Sequence, residues 1–189
     1  PNIGFFILDI FFLWFKKRNK IDVWHVTVGY PTGVAFAHFS QRSNKEPYLI
    51  RCAGEDIQLM PEINYGFRLN KKIDSLIRNW LPKSSCLVAI SDSVAREYRK
   101  IGAQDNQIKF IPNGVDLSRF NFKVDKNDVR NSLGISELDF VFLCVGRNHP
   151  KKGFEDLIRA GKLLSNISNR PFKIIFVGKG VKKLKESTL

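Results

Sequence analysis

Val145-Gly146-Arg147-Asn148-His149-Pro150-Lys151-Lys152-Gly153-Phe154 reads as the end of an apolar strand, a short loop, and Lys-Gly opening a helix. The strand before it is Phe140–Val145, the helix after it covers about 154–164, and a further apolar strand, Phe172–Val177, follows. Strand, helix and strand in that order give parallel strands covered by a helix. Gly146 ends the first strand, so Arg147 falls at the carboxyl edge, where open α/β sheets bind ligands. Lys152-Gly153 falls at a helix start, where free amides and the helix dipole favour an anion. Arg grips phosphate through two parallel hydrogen bonds, and Lys adds a compact point charge. Two cations there suit a diphosphate, although the spacing alone also describes a solvated basic loop.

The same alternation runs upstream. A helix at about 3–18 leads to a strand at 23–28, then helix-like sequence from 33 to about 43 and a strand at 48–53. A helix is expected at about 64–80, with Tyr65, Leu69, Ile73, Leu76, Ile77 and Trp80 on one face and Arg68, Lys71, Lys72 and Arg78 on the other. Pro82 ends it. A buried strand at 86–90 follows, then a helix at 93–101 capped by Ser91 or Asp92 and stopped by Gly102, and a strand at 108–111. Ile111-Pro112-Asn113-Gly114-Val115-Asp116 then runs from that strand into a Pro-Asn-Gly turn. The hydrophobic rhythm lapses over 113–137, apart from a short helix at about 125–133 stopped by Gly134. The division expected is 1–115 as one α/β domain, 116–136 as linker, and 137–189 as the start of another. The chain begins at Pro1 and stops just after a strand and a Gly turn, and so reads as a fragment.

Of the 189 residues, 31 are Lys or Arg and 18 are Asp or Glu, a formal charge of +13. That balance favours acidic partners: diphosphates, anionic lipid surfaces or nucleic acid. Nucleic acid is disfavoured, because the cations spread over helix faces without aromatic interleaving and no nucleic-acid motif appears. Cys52, Cys86 and Cys144 are odd in number and lack a CxxC pattern, which argues against a disulfide framework or a zinc site. They read as buried free thiols in a reducing compartment. The apolar run 5–15 is too short to span a bilayer, which takes about 20 residues, and Asp9 interrupts it. A packed helix ending at Lys16-Lys17-Arg18 is expected instead. His25 reads as a packed core histidine, and His38 and His149 lack companions at metal-ligand spacing. Gly178-Lys179-Gly180 is a weak candidate for a phosphate-side turn.

The strand-Gly-Arg, short loop and Lys-Gly pattern, followed by Glu155 and Leu157-Ile158-Arg159-Ala160, resembles retaining glycosyltransferases of family 4. Ile111-Pro112-Asn113-Gly114-Val115-Asp116 with Phe120 resembles that family's hinge. Val88-Ala89-Ile90-Ser91-Asp92-Ser93 and Asp22-Val23-Trp24-His25 resemble two of its strands. Gly54-Glu55-Asp56 resembles its His-Gly-x-Asp turn, with Ala53 standing where the family has His.

This resemblance implies a GT-B fold, α/β throughout: an incomplete Rossmann-like, parallel-sheet N-terminal domain on the acceptor side, and the start of a second Rossmann-like domain that binds a nucleotide sugar. It implies retaining transfer of a hexosyl group from a nucleotide-sugar donor to a glycan or lipid-linked acceptor, as in cell-surface polysaccharide synthesis. Gly146, Arg147 and Lys152 would hold the donor diphosphate and neutralise it as it leaves. Gly54, Asp56, Ser91, Asn113 and Gly114 are candidates to line the cleft, with Asp56 binding sugar hydroxyls or else capping the following turn. No metal or other cofactor is called for, and no protein nucleophile. The family's paired donor-sugar Glu has no counterpart here, so the 189-residue piece is expected to be inactive by itself. Alternatives are a GT-B nucleotide-sugar epimerase, and a non-enzymatic basic module for nucleic acid or a membrane surface. The expected location is cytoplasmic, peripheral at the inner face of the cell membrane, with the basic segment 64–83 touching anionic lipid.

Overall fold

Four parallel strands form the first sheet: β1 (Trp24–Thr27), β2 (Tyr48–Cys52), β3 (Cys86–Ala89) and β4 (Ile108–Phe110), in the order β1-β2-β3-β4. The computed structural model describes residues 3–43, 47–120 and 123–186. Register is fixed by Trp24 opposite Tyr48, Leu49 opposite Cys86, and Leu87 opposite Ile108. The helices are α1 (Ile3–Arg18), α2 (Val34–Arg42), α3 (Lys71–Trp80) and α4 (Asp92–Lys100). Parallel neighbours need crossovers, and α2 and α4 supply two of them.

An aromatic cluster fills part of the core. Phe12 of α1 meets Phe36 and Phe39 of α2 at ring separations of 5.1 and 5.3 Å, Trp24 of β1 lies 4.8 Å from Phe36, and Tyr48 of β2 lies 5.1 Å from Phe36. Tilted and edge-on pairs at such distances add to the gain from burying the rings. Burial pushes the Tyr48 phenol up to about 12. Ile50, Ile57, Ile77, Leu81, Leu87, Val94 and Tyr98 continue the core.

A second, separate sheet pairs β5 (Phe140–Val145) with β6 (Phe172–Val177) in parallel, Phe140 opposite Phe172 through Val145 opposite Val177. α5 (Lys126–Ser132) precedes it, and α6 (Phe154–Ile167) crosses from β5 to β6. Asp125 caps α5 by accepting from the Asn127 and Asp128 amides, and Gly134 stops the segment at φ +61°. The chain divides into two compact units, Pro1–Val115 and Asp116–Leu189.

Several elements differ from the sequence expectation. The helix expected at 64–80 begins only at Lys71. Gly66 adopts φ +113°, where a Cβ would collide with the Gln58 carbonyl, and Asn70 then caps α3 by accepting from the Lys72 amide at 3.0 Å. The left-handed glycine breaks the helix that the apolar spacing suggests. Helix α6 runs three residues past the expected end, to Ile167. Residues 111–116 form no hydrogen-bonded turn, and neither Asn113 nor Gly114 takes a positive φ. His25 is exposed: it is on the opposite face of β1 from Val26, the buried residue of that strand. Of the three cysteines Cys52 alone is buried, while Cys86 and Cys144 are half-exposed. Among the described side chains of helix α1, Leu8 and Phe12 pack into the core and Phe15 lies against Trp24.

Candidate functional site

In the second unit, the carboxyl edge is built by glycines. Gly146 donates to the Val177 carbonyl at 2.8 Å, so the strand pairing reaches its last residue. Gly178, at φ +144°, approaches Gly146 so closely that a Cβ would overlap the Gly146 carbonyl. Asn148 then donates to the Lys179 carbonyl at 2.8 Å, tying the loop after β5 to the loop after β6. Pro150–Lys152 forms a single tight turn, capped by His149 Nδ1 accepting from the Lys151 amide at 3.2 Å. His149 is therefore a half-buried cap. Gly153 takes φ +65° and caps α6.

The turn lays the Lys152 stem across Gly146, where its Cγ, Cδ and Cε lie 3.4–3.5 Å from the place a Cβ would occupy. A larger residue at 146 would push that lysine away. Arg147 and Lys152 are both exposed, and among the described residues neither side chain makes a hydrogen bond or ion pair. Lys179 is exposed on the neighbouring loop. The edge thus presents cations without local carboxylate partners, next to the free amides that open α6. Neither Arg147 nor Lys152 lines the apolar trough of about 880 Å³ elsewhere in this unit, whose walls include Ile158, Phe172, Ile174 and Phe176. The trough suits apolar contact; the charged edge suits an anion.

In the first unit the carboxyl edge is closed on itself. Asp56 is 5% exposed. Its Oδ1 accepts from the Ala53 and Gly54 amides at 3.1 and 2.8 Å, and its Oδ2 accepts from the Gly29 amide at 2.7 Å. Its carboxylate joins the end of β2 to the end of β1. The joined segment is strained: Val28, β-branched, sits at φ +90°, an unfavourable region for such a residue. Val28 is held there by donating to the Arg51 carbonyl at 3.0 Å and accepting from the Gly33 amide at 3.1 Å.

Tyr98 of α4 runs beneath the same edge. Its hydroxyl accepts from the Cys52 amide at 2.9 Å and donates to the Val88 carbonyl at 3.0 Å, bridging β2 and β3. Burial pushes the Tyr98 phenol well up, and burial followed by the Asp56 charge does the same to the Cys52 thiol. Both stay neutral and structural.

The other expected residues of this unit fall at its strand ends. Gly54 leaves room for the Tyr65 hydroxyl, which would stand 2.8 Å from a Cβ. Ser91 caps α4, accepting from the Val94 amide at 3.4 Å, and its hydroxyl lies 2.9 Å from that of Ser93. Asn113 accepts a hydrogen bond from the Arg51 guanidinium of β2, and this engagement takes the place of the local Asn turn. Gly114 is exposed, with nothing near it. The sequence reading missed Arg51, Tyr98 and Asn148. The first two act through partners 62 and 46 residues away, which no local pattern reveals.

Arg68 carries the largest correction. It is expected on a solvated basic face, yet it is 4% exposed. It donates to Asp74 at 2.6 Å, to Glu97 at 2.7 Å and to the Ile57 carbonyl at 3.0 Å.

Parallel strands joined by helices form the open α/β class of sheet. Residues 2–119 match the profile of Glycosyltransferase Family 4, and the chain belongs to that family. It is 22% identical over 166 residues to the N-acetyl-alpha-D-glucosaminyl L-malate synthase of Bacillus anthracis, covering 87% of this chain and 41% of that protein. It is 32% identical over 98 residues to the D-inositol 3-phosphate glycosyltransferase of Rhodococcus erythropolis, covering 51% of this chain and 22% of that protein. The crystal structure of Anabaena Alr3699/HepE in complex with UDP-glucose matches at a TM-score of 0.58 and 24% identity, covering 87% of this chain and 44% of that one. The fold is that of a GT-B glycosyltransferase. The chain spans less than half the length of each of these three proteins.

Proposed function

We propose that this chain belongs to a retaining glycosyltransferase that moves a hexosyl group from a nucleotide-sugar donor to a glycan or lipid-linked acceptor in cell-surface polysaccharide synthesis. The observation that carries the reading is the unpartnered pair Arg147 and Lys152 at the carboxyl edge of β5, with Lys152 laid over Gly146. Bond cleavage in a nucleotide sugar places negative charge on the departing diphosphate. Two cations and the amides opening α6 stabilise that charge more as it develops, which lowers the barrier. The resemblance to the family supplies the stereochemistry: the acceptor hydroxyl attacks on the face the donor leaves, and a donor phosphate oxygen takes its proton. The names of the relatives support sugar transfer, and the UDP-glucose bound to the Anabaena protein supports a nucleotide-sugar donor.

In this reading residues 137–189 begin the donor-binding domain and 116–136 link it to the acceptor-side domain, 1–115. Ser91, Asn113 and Gly114 face the acceptor, while Gly54 and Asp56 hold the backbone beneath it. The protein works at an anionic membrane surface without spanning it. Among the described residues no helix is long and apolar enough to cross a membrane. The test is a transfer and donor-hydrolysis assay of the full-length protein with a panel of nucleotide sugars. Arg147→Ala or Lys152→Ala should cut turnover on the order of 10²-fold. Wild-type turnover in both variants overturns the assignment.

A further inference from the structure

Three aromatic side chains from two loops gather at the carboxyl edge of the first sheet. The loop after β1 supplies Tyr30, and the loop after β2 supplies Tyr65 and Phe67. The Tyr30 and Phe67 rings lie edge to face at a centroid separation of 5.9 Å. The Tyr65 hydroxyl stands over Gly54, 2.8 Å from the place a Cβ would occupy. Backbone bonds aim all three. Before Tyr30, Val28 holds φ +90° and the Gly29 amide donates to Asp56 at 2.7 Å. Before Phe67, Gly66 holds φ +113°, so close to the Gln58 carbonyl that a Cβ would overlap it. The Phe67 amide then donates to the Glu55 carbonyl at 2.8 Å. Tyr65 and Met60 exchange both backbone hydrogen bonds, at 2.9 and 3.0 Å. Backbone strain of the Val28 kind persists only where the surroundings over-determine it, and it gathers at ligand sites.

We propose that Tyr30, Tyr65 and Phe67 form the wall on which the terminal pyranose ring of the acceptor stacks. The proposal rests on the transferase reading above and names the chemistry of its acceptor, a neutral sugar. A pyranose has a face of C–H groups and a rim of hydroxyls. The C–H face carries slight positive charge and suits the negative face of an aromatic ring, while the rim suits hydroxyl partners. This edge supplies both. Beside the rings, the Gln58 side chain donates to the Ser93 hydroxyl at 3.2 Å, and the Ser93 and Ser91 hydroxyls lie 2.9 Å apart. The backbone carbonyl of the same Gln58 faces Gly66, so one residue joins the hydroxyl pair to the turn that aims Phe67. Glu55 is exposed in the Gly54–Asp56 turn, and its carboxylate disfavours an anion there. The second sheet edge is the opposite case, with Arg147 and Lys152 exposed. A free glycan and a lipid-linked one both end in such a ring.

The experiment is saturation-transfer NMR of the full-length protein, without donor, with methyl and octyl glycosides of glucose, galactose, mannose and N-acetylglucosamine. Ring C–H protons of at least one methyl glycoside should be saturated by the wild type, not by Phe67→Ala, and again by Phe67→Tyr. A stronger ring signal from the octyl glycoside identifies a lipid-linked acceptor, and equal signals identify a glycan end. Calorimetry with a panel of nucleotide sugars runs in parallel, so failure of the donor reading shows separately. In transfer from the nucleotide sugar that binds, Phe67→Ala should raise the acceptor KM about tenfold with kcat nearly unchanged, the mark of lost ground-state binding. Tyr65→Phe removes one oxygen and no packing, and should raise the same KM about fivefold. Lys71→Ala, an exposed change at the start of α3, is the control. Four results overturn the proposal: no ring-proton saturation by any glycoside, saturation confined to the octyl chain, an unchanged acceptor KM in Phe67→Ala or Tyr65→Phe, or an equal loss in Lys71→Ala.

Discussion

The two sheets end at carboxyl edges built in opposite ways. In the first unit the edge spends its polar groups on itself: Asp56 gathers three backbone amides, Tyr98 bridges two strands, and Arg51 reaches Asn113. In the second unit the glycines bring two strand ends into contact and leave Arg147 and Lys152 open to solvent. A buried polar group must be paired, because an orphaned one costs more than a made bond gains. An exposed cation needs no partner and keeps its charge for a ligand. The first edge therefore holds a shape, and the second presents a charge.

The contrast is most easily broken at Arg68, which is 1% exposed at its side chain and pairs with Asp74 and Glu97. Arg68→Ala leaves the Glu97 carboxylate buried without its guanidinium, and removal of one member of a buried pair costs about 3–5 kcal/mol. Urea denaturation of the full-length protein should show that loss in the first unit. A midpoint equal to that of the wild type would mean that the network does not hold the unit together.

Asp56→Ala is expected to cost about 3 kcal/mol, roughly 1 kcal/mol or more for each of three amides losing its acceptor. It also frees the strained Val28 segment. Asp56→Asn keeps one side-chain oxygen and should recover part of the loss. If both variants melt like the wild type while transfer collapses, Asp56 touches substrate and the first edge is not self-contained.

Arg147→Ala and Lys152→Ala should show the reverse pattern. Turnover should drop on the order of 10²-fold, while stability stays within about 0.5 kcal/mol, the usual range for surface changes without structural partners. Destabilisation by either variant would show that these cations are structural after all.

How far the sequence carries this contrast depends on where the partners lie. β5 and β6 match their expected bounds, because continuous apolar runs between Gly and Pro signals need no distant information. The Gly146 and Lys152 pairing is local too, six residues apart along a short loop. The role of Arg68 is not legible, since its acidic partners lie 6 and 29 residues away and its spacing fits an exposed helix face. Its place outside α3 follows from Gly66, whose left-handed backbone overrides the apolar period of Tyr65, Leu69 and Ile73. Asn70 is a cap signal visible in the sequence, and it marks the true helix start. Asp56 is legible as a turn residue, but its reach to Gly29, 27 residues back, requires the β1–β2 pairing first. His25 reads as core, yet along β1 only Val26 is buried and His25 is on the other face of the strand.

The finest test of the self-paired unit is its response to acid. Asp74 gives one oxygen to Arg68 Nε at 2.6 Å and the other to Arg78 Nε at 2.7 Å. Partial burial by itself pushes this carboxyl up, but hydrogen bonds from Arg78 and Arg68, joined by their charges, outweigh it and hold the group below its usual range. Its folded pKa therefore lies below the unfolded value of about 3.9. The unfolded chain then binds the proton more readily, so the stabilisation is fully present above about pH 4 and is lost as pH falls through the folded pKa. Asp74→Asn should be less stable than the wild type at neutral pH, and the gap should close in acid. The exposed pair Arg99–Asp105, at 53% and 76% exposure, serves as the control. Solvent screens it, and Asp105→Asn should change little at any pH. Urea midpoints measured from neutral pH down through the carboxylate range decide the matter. A constant gap for Asp74→Asn would mean that its contribution is one of shape, and that charge plays no part in closing the first unit.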